Sequence, residues 1–349
     1  MHYRTSMAFM LLLAVGGNAQ SPGSLATLRA ITIRLHSMPG VSSRDADLTS
    51  PSCFSHFEVL DLRPDSNRIG IHTCVPDFGR NHDRQLVFAH SATVEIAGYL
   101  NRRYSRKTAP YKALVVLRTL WLSDAHVPRP EILRHPELRL ERTHIRLKAE
   151  IYAIRDGRYV PVLRFDTLET AWKKRILDEP SPYVEWGRNL SLLIDRLADS
   201  AARLTPEKDD DGRWVDLDEI RQFNADRFDA PIDQTAPARG VYANFEEFRN
   251  NTPSIRDFEI KTLDHERLLY IREDGAAYYS HDAWGYCDGK DIFIMRDGIL
   301  CPAWKEGKAF YLPAGATRST TGDSLTEGRS RDYRQRSIYY VDMDTGDMY

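Results

Sequence analysis

The chain has 349 residues, 42% hydrophobic and 28% charged, with 48 Lys plus Arg against 50 Asp plus Glu. That length and composition support about two globular domains and exclude a disordered or fibrous chain. The near-zero charge balance supplies no global field for a polyanion, so nucleic acid is not an expected partner.

The first twenty residues, MHYRTSMAFMLLLAVGGNAQ, run from a short basic start at His2 and Arg4 through an apolar stretch, Met7 to Val15. Small residues follow at Gly16, Gly17 and Ala19. This is the pattern of a secretory signal cleaved near Ala19 or Gln20, and the apolar run is too short to span a bilayer. No later window reaches the ~18 apolar residues of a transmembrane helix. The expectation is an exported protein without a transmembrane span.

Export favours disulfides among Cys53, Cys74, Cys287 and Cys301, for which three pairings exist. The sequence-local choice joins Cys53 to Cys74 and Cys287 to Cys301. Each pair brackets an expected hairpin, and each bridge would stabilise by roughly 3 kcal/mol in the chain-entropy model. Four buried thiols are the other reading, and the absence of CxxC spacing argues against zinc.

Residues 1–20 are thus the signal, 21–230 an α+β domain, 231–238 a linker and 239–349 a β-rich domain. In the first domain, the β-branched core of Leu28 to Leu35 predicts a strand. Phe57 to Leu62 and Arg68 to Thr73 predict a hairpin turning at Pro64-Asp65-Ser66-Asn67. Ser91 caps a helix that carries Ile96, Ala97, Leu100 and Tyr104 on one face. Lys112 to Leu122 is nearly all apolar, as in a strand covered on both sides. From His144 to Ala153 apolar and polar residues alternate, which predicts a half-exposed strand turning at Asp156-Gly157. Two helices follow, one on Leu190, Leu193, Ile194, Leu197 and Leu204, the other near Leu217 to Phe228. The resulting fold class is α+β, a mixed sheet packed by helices.

Pro231 and Pro237 mark the linker. Beyond it, acid-Gly pairs at Asp274-Gly275, Asp288-Gly289, Asp297-Gly298 and Glu306-Gly307 predict tight turns. The last three recur at nine-residue spacing, which reads as a small antiparallel β-meander. Ala314 to Ser337 lacks apolar periodicity and reads as a loop before a last strand, Ser337 to Met343.

The chemistry is sparse. Glu207 to Asp218 partly fits a calcium loop but departs from it at both ends, so a solvated acidic turn is the better reading. Ser280-His281-Asp282 holds the residue types of a hydrolase triad, yet consecutive residues of a strand point to opposite faces. His72, His82 and His90 match no metal-ligand spacing, and no phosphate-cradling glycine motif is present. No cofactor is expected. The arginines between Arg129 and Arg164 read as a solvated face, with docking of an acidic partner or polysaccharide as the alternative. Among the aromatics of Tyr278 to Leu312, Trp284 and Tyr286 with Asp288 and Lys290 form the candidate binding cluster.

The segments GVYANFEEFRNNTPSI, WGYCDGKDIFI and AFYLPAG resemble a group of uncharacterised exported proteins common in the Bacteroidetes. The resemblance covers roughly 239–349. It implies a periplasmic or outer-membrane-associated setting and transfers no activity. The leading expectation is a non-enzymatic binding or scaffolding protein of the envelope, its partner an unidentified envelope protein or glycan. The alternative is a hydrolase acting on an envelope polymer, whose mark would be two carboxylates facing across a cleft.

Overall fold

Two long hairpin strands dominate the computed structural model, which describes residues 25–36, 53–72, 83–126, 138–176, 183–204, 214–263, 266–296, 298–313 and 338–349. The expected signal, Cys74, His82, the core of the acidic turn and the 314–337 loop lie outside the described residues. The fold class is α+β, as composition and periodicity indicate.

The first sheet has seven strands: β1 (Arg29–Ile33), β2 (Phe54–Asp61), β3 (Gly70–His72), β4 (Arg84–Phe88), β5 (Tyr111–His126), β6 (Leu138–Arg155) and β7 (Arg158–Ile176). Its order is β1-β4-β3-β5-β6-β7, with β2 also on β5. β5, β6 and β7 run antiparallel over their whole length. Their turn is set by Asp156 and Gly157, both at positive φ as a tight hairpin requires.

The expected hairpin between Phe57 and Thr73 does not form. β2 and β3 instead lie one after the other along β5, both parallel to it. The chain between them is held by Arg63, which donates to the Arg68 carbonyl at 2.9 Å and to the Asp61 carboxylate at 2.7 Å. Those bonds satisfy the loop locally, so β3 is free to pair with β5 and β4. The approach of β3 to β5 is close enough that a Cβ on Gly70 would sit 2.0 Å from the Leu122 carbonyl oxygen.

Two helices cover one face of this sheet. In α1 (Ala92–Tyr104) the N-cap Ser91 accepts from Val94 N, and Ile96, Leu100 and Tyr104 are buried as the sequence predicts. α2 (Tyr183–Ala202) buries Leu190, Leu193, Ile194 and Leu197. They pack on Val115, Leu117, Leu122, Ile145, Leu147 and Ile151 of β5 and β6.

The opposite face departs from the sequence reading. Arg146, Lys148, Glu150 and Tyr152 of β6 are buried rather than solvated. Alternation marks two chemically distinct faces, but here a second layer covers the polar one. α3 (Leu217–Phe228) lies over its turn end, with Ile220 against Leu114, Val116 and Tyr152. The C-terminal strands cover the rest, with Trp121 between Tyr311 and Tyr340 at ring separations of 5.6 and 5.0 Å.

Those C-terminal strands belong to a six-stranded antiparallel sheet, order β16-β15-β14-β13-β12-β8. It comprises β8 (Gly240–Tyr242), β12 (Gly285–Cys287), β13 (Ile292–Arg296), β14 (Ile299–Glu306), β15 (Ala309–Pro313) and β16 (Ile338–Val341). β12 to β15 are the expected meander, turning at Gly289, Gly298 and Gly307, all at positive φ. One face packs on α4 (Pro231–Gln234) and α5 (Phe245–Arg249), so Ala230 beside the expected linker and Ile232 within it are core residues. The other face carries a three-stranded sheet of β9 (Phe258–Leu263), β10 (Glu266–Glu273) and β11 (Ala276–Ser280).

The expected Cys287–Cys301 bridge is overturned by the register. Cys287 lies on β12 opposite Ile292, whereas Cys301 lies on β14 opposite Ile294. With β13 between them, strand spacing alone separates them by about 9 to 10 Å, beyond the ~7 Å Cα limit for a disulfide. Cys53 is a free thiol whose Sγ lies 3.6 Å from the Leu204 carbonyl. Among the described residues there is no disulfide.

Candidate functional site

The covered face of β6 holds a seam of buried charge that joins the first sheet to the C-terminal segment. Lys148 Nζ lies 2.7 Å from Asp342 and 3.0 Å from Asp344. Arg227 of α3 donates to both oxygens of Asp344 at 2.8 Å. Arg146 reaches Asp166 at 2.6 Å and lies over the Tyr349 ring. Arg68 pairs with Asp65 and Glu306, each at 2.9 Å, and Tyr311 donates to Asp65 at 2.6 Å. Burial pushes the Asp344 carboxyl up, but the hydrogen bonds from Arg227 and Lys148 outweigh it and hold it below the usual carboxylate range. Burial and the Asp65 carboxylate push the Tyr311 hydroxyl well up, so it stays a donor. These groups pair with one another, although Arg68 Nε and Nη1 and Arg146 Nε are buried without a hydrogen-bond partner, and the seam is read as structural.

Where the seam meets α3, packing is incomplete and a cavity of about 550 Å³ opens between the β6–β7 hairpin and the helix. Val162 and Leu163 from β7, Tyr152 from β6, and Val215, Ile220 and Phe223 from the α3 side form its apolar wall. Glu150, Arg164 and Glu219 are its charged members. The size falls within the ~300–1,000 Å³ of ordinary small-molecule sites, and apolar walls with few polar groups are typical of them.

Local chemistry fixes the helix over this space. Asp216 and Glu219 form a capping box, the Glu219 N–H donating at 2.8 Å and the Asp216 N–H at 2.7 Å to the facing carboxylates. The Tyr159–Val215 bridge, with bonds of 2.9 and 2.8 Å, pins the entering chain to β7. Beside the lining residue Glu150, Arg118 donates to Glu150 Oε2 at 2.6 Å and to Asn224, while its guanidinium sits 5.8 Å from the Phe223 ring and 5.9 Å from Phe228. Tyr152 donates to the same Oε2 at 2.8 Å. Burial and the Glu150 carboxylate push the Tyr152 hydroxyl up, which keeps it a donor.

The residues singled out from sequence do not converge. Trp284 packs on Phe248 at 4.2 Å and Phe245 at 5.4 Å, in the layer beneath α5. Tyr286 is fully buried against Phe293 at 4.8 Å, in the layer shared with the three-stranded sheet. Asp288 accepts from the backbone of Lys290 and Asp291, a turn-closing role, and Lys290 is exposed. The exposed aromatics of this domain are Tyr278 and Tyr279 on β11, the latter near Tyr270 and His281. His72 is buried at 2.6 Å from Asp124, whereas His90 is exposed beside Glu95, so the two serve separate carboxylates. His281 and Asp282 are an exposed pair at 3.2 Å. Among the described residues no three His, Cys, Asp or Glu are grouped to hold a metal ion, and no helix is long and apolar enough to cross a membrane.

Glu150, Tyr152, Ile220 and Phe223 were missed as a site. Each reads as an ordinary member of a strand or helix pattern, and only the folding of α3 over β6 brings them together.

No family model matches the chain, and no curated protein matches it significantly. Among solved structures, protein XCC0632 from Xanthomonas campestris, described by the family model DUF330, aligns at 16% identity with a TM-score of 0.19. The alignment covers 51% of this chain and 88% of that one. A TM-score so low carries no argument about fold or function.

Proposed function

We propose that this chain is a non-catalytic binding protein of the cell envelope that takes a small apolar or amphipathic ligand between the β6–β7 hairpin and α3. The observation that carries the reading is the cavity of about 550 Å³ whose walls are mostly apolar. The secretory pattern of the first twenty residues and the resemblance to exported Bacteroidetes proteins support the envelope setting.

The hydrolase alternative has one observation in its favour, that Glu150 and Glu219 line the same cavity. Both are committed elsewhere. Glu219 Oε2 caps α3, and Glu150 is neutralised by Arg118. An acid occupied in this way is poorly placed to exchange protons with a substrate, so binding is the better reading.

Titration with the environment-sensitive fluorophore N-phenyl-1-naphthylamine tests it. The expected result is saturable one-to-one binding that Ile220→Trp abolishes by filling the cavity, with the melting temperature of the variant within a few degrees of the parent. Absent or non-saturable binding by the parent protein would overturn the proposal.

A further inference from the structure

A second cavity, of about 370 Å³, lies farther along the β6–β7 hairpin and shares no lining residue with the first. Where the first is walled mostly by apolar groups, this one presents polar side chains. His144 and Arg146 come from β6, Leu168 from β7, Arg296 from β13, and Asp347 and Met348 from the C-terminal segment. The β6–β7 register sets Arg146 opposite Leu168, which places them side by side on one face of the sheet.

Two guanidiniums rest on aromatic rings here. Arg296 lies over Tyr339 at 3.3 Å and Arg146 over Tyr349 at 5.2 Å, and both rings are buried lining residues. A guanidinium that meets a ring with its face keeps its N–H donors in its own plane, where a ligand can use them. Asp347 supplies the acceptor. It is exposed, and its Oδ2 is steadied by the Thr345 and Tyr349 hydroxyls at 2.7 and 3.1 Å.

The charge around this space is closed. Following the ion pairs outward from the lining residues, four cations, Arg146, Lys148, Arg227 and Arg296, stand against four carboxylates, Asp166, Asp342, Asp344 and Asp347. An ionic ligand would bring an unmatched charge, and a wholly apolar one would take water from the arginines and the carboxylate without replacing its hydrogen bonds. A neutral ligand whose groups both donate and accept meets neither cost. Hydroxyls do both.

We infer that this cavity takes a neutral sugar unit, its hydroxyls bonded to Arg146, Arg296 and Asp347 and its C–H face set against Leu168 and Met348. Leu168 is 42% exposed, an apolar surface that a sugar ring would cover. The site is separate from the apolar cavity and stands without it.

Proton saturation transfer from the full chain to the methyl glycosides of glucose, galactose, mannose and N-acetylglucosamine tests it, with those of glucuronate and glucosamine as charged counterparts. The expected result is saturable binding of at least one neutral glycoside, about tenfold or more tighter than either charged one. Arg296→Met keeps a side chain over Tyr339 but removes its donors, and Leu168→Arg adds an unmatched cation at an exposed position. Each should weaken the neutral glycoside about tenfold or more, with a melting temperature close to the parent's. Equal binding of the glycoside and of the tetramer of the same sugar would support the site with a free sugar as ligand, and tighter binding of the tetramer would support it with the end of a glycan chain. Saturation by none of the neutral glycosides, tighter binding of a charged one, or binding unaltered in both variants would overturn the inference. N-phenyl-1-naphthylamine should bind both variants as it binds the parent, so this reading and that of the apolar cavity fail separately.

Discussion

Replacing Lys148 by methionine keeps the length of the buried stem and removes only the charge from the centre of the seam. Lys148 is 4% exposed and Asp342 1% exposed, 2.7 Å apart. The variant therefore leaves Asp342 as a buried carboxylate with its main cation gone. Breaking a buried pair from one side costs about 3–5 kcal/mol, against ~0–1 for a surface pair. Arg146 Nε, 4.0 Å from Asp342, is a partial substitute and places the expected loss at the low end, about 3 kcal/mol. Asp342→Asn should cost less, because Lys148 retains Asp344 at 3.0 Å. The double variant should recover about 1–3 kcal/mol relative to the sum of the two singles. Urea unfolding followed by tryptophan fluorescence gives all four stabilities. A loss below about 1 kcal/mol for Lys148→Met, or strict additivity in the double variant, would refute the claim that this face is sealed from water.

Asp344 sets an acid limit on the same seam. Its folded-state pKa is depressed below the unfolded value, so its stabilisation is complete above the unfolded carboxylate pKa and is lost as pH falls through the lower folded value. Thermal melts between about pH 5 and pH 2 should show a shallower acid decline in Asp344→Asn than in the parent. Gly70→Ala should cost about 3 kcal/mol or more or prevent folding, because the added Cβ meets the Leu122 carbonyl at 2.0 Å, and circular dichroism with urea titration reads the loss. Tyr311→Phe should cost about 1–3 kcal/mol by removing the hydroxyl that donates to buried Asp65, measured in the same way. Cys287 is buried and its thiol is pushed up by that burial, so in native protein it should react with a thiol reagent far more slowly than after unfolding in urea.

Local signals carried the parts of the fold that are local. Ser91 and the Ile96, Leu100, Tyr104 spacing define α1. Asp156-Gly157 and the meander glycines define their turns because positive φ leaves few alternatives. What did not show was the pairing of elements distant in sequence. Phe57 to Thr73 looks like a hairpin until Arg63 folds the intervening loop and both strands take β5 as partner. The polar side of β6 looks like a solvent face because Arg146, Lys148 and Glu150 usually are. The counter-charges of Lys148, Asp342 and Asp344, lie almost two hundred residues away, and nothing in the local pattern announces them. The cavity is a consequence of the same hidden layer. It exists because α3 covers β6 only partly, and Tyr152 and Ile220 carry no mark in sequence of facing a void.

Backbone amide shifts during titration with N-phenyl-1-naphthylamine test the account most directly. The prediction is progressive shifts confined to Tyr152, Val162, Leu163, Val215, Ile220, Phe223 and their neighbours. Shifts centred instead on Tyr270, Tyr278 and Tyr279 of the three-stranded sheet, with the α3 resonances unmoved, would contradict it.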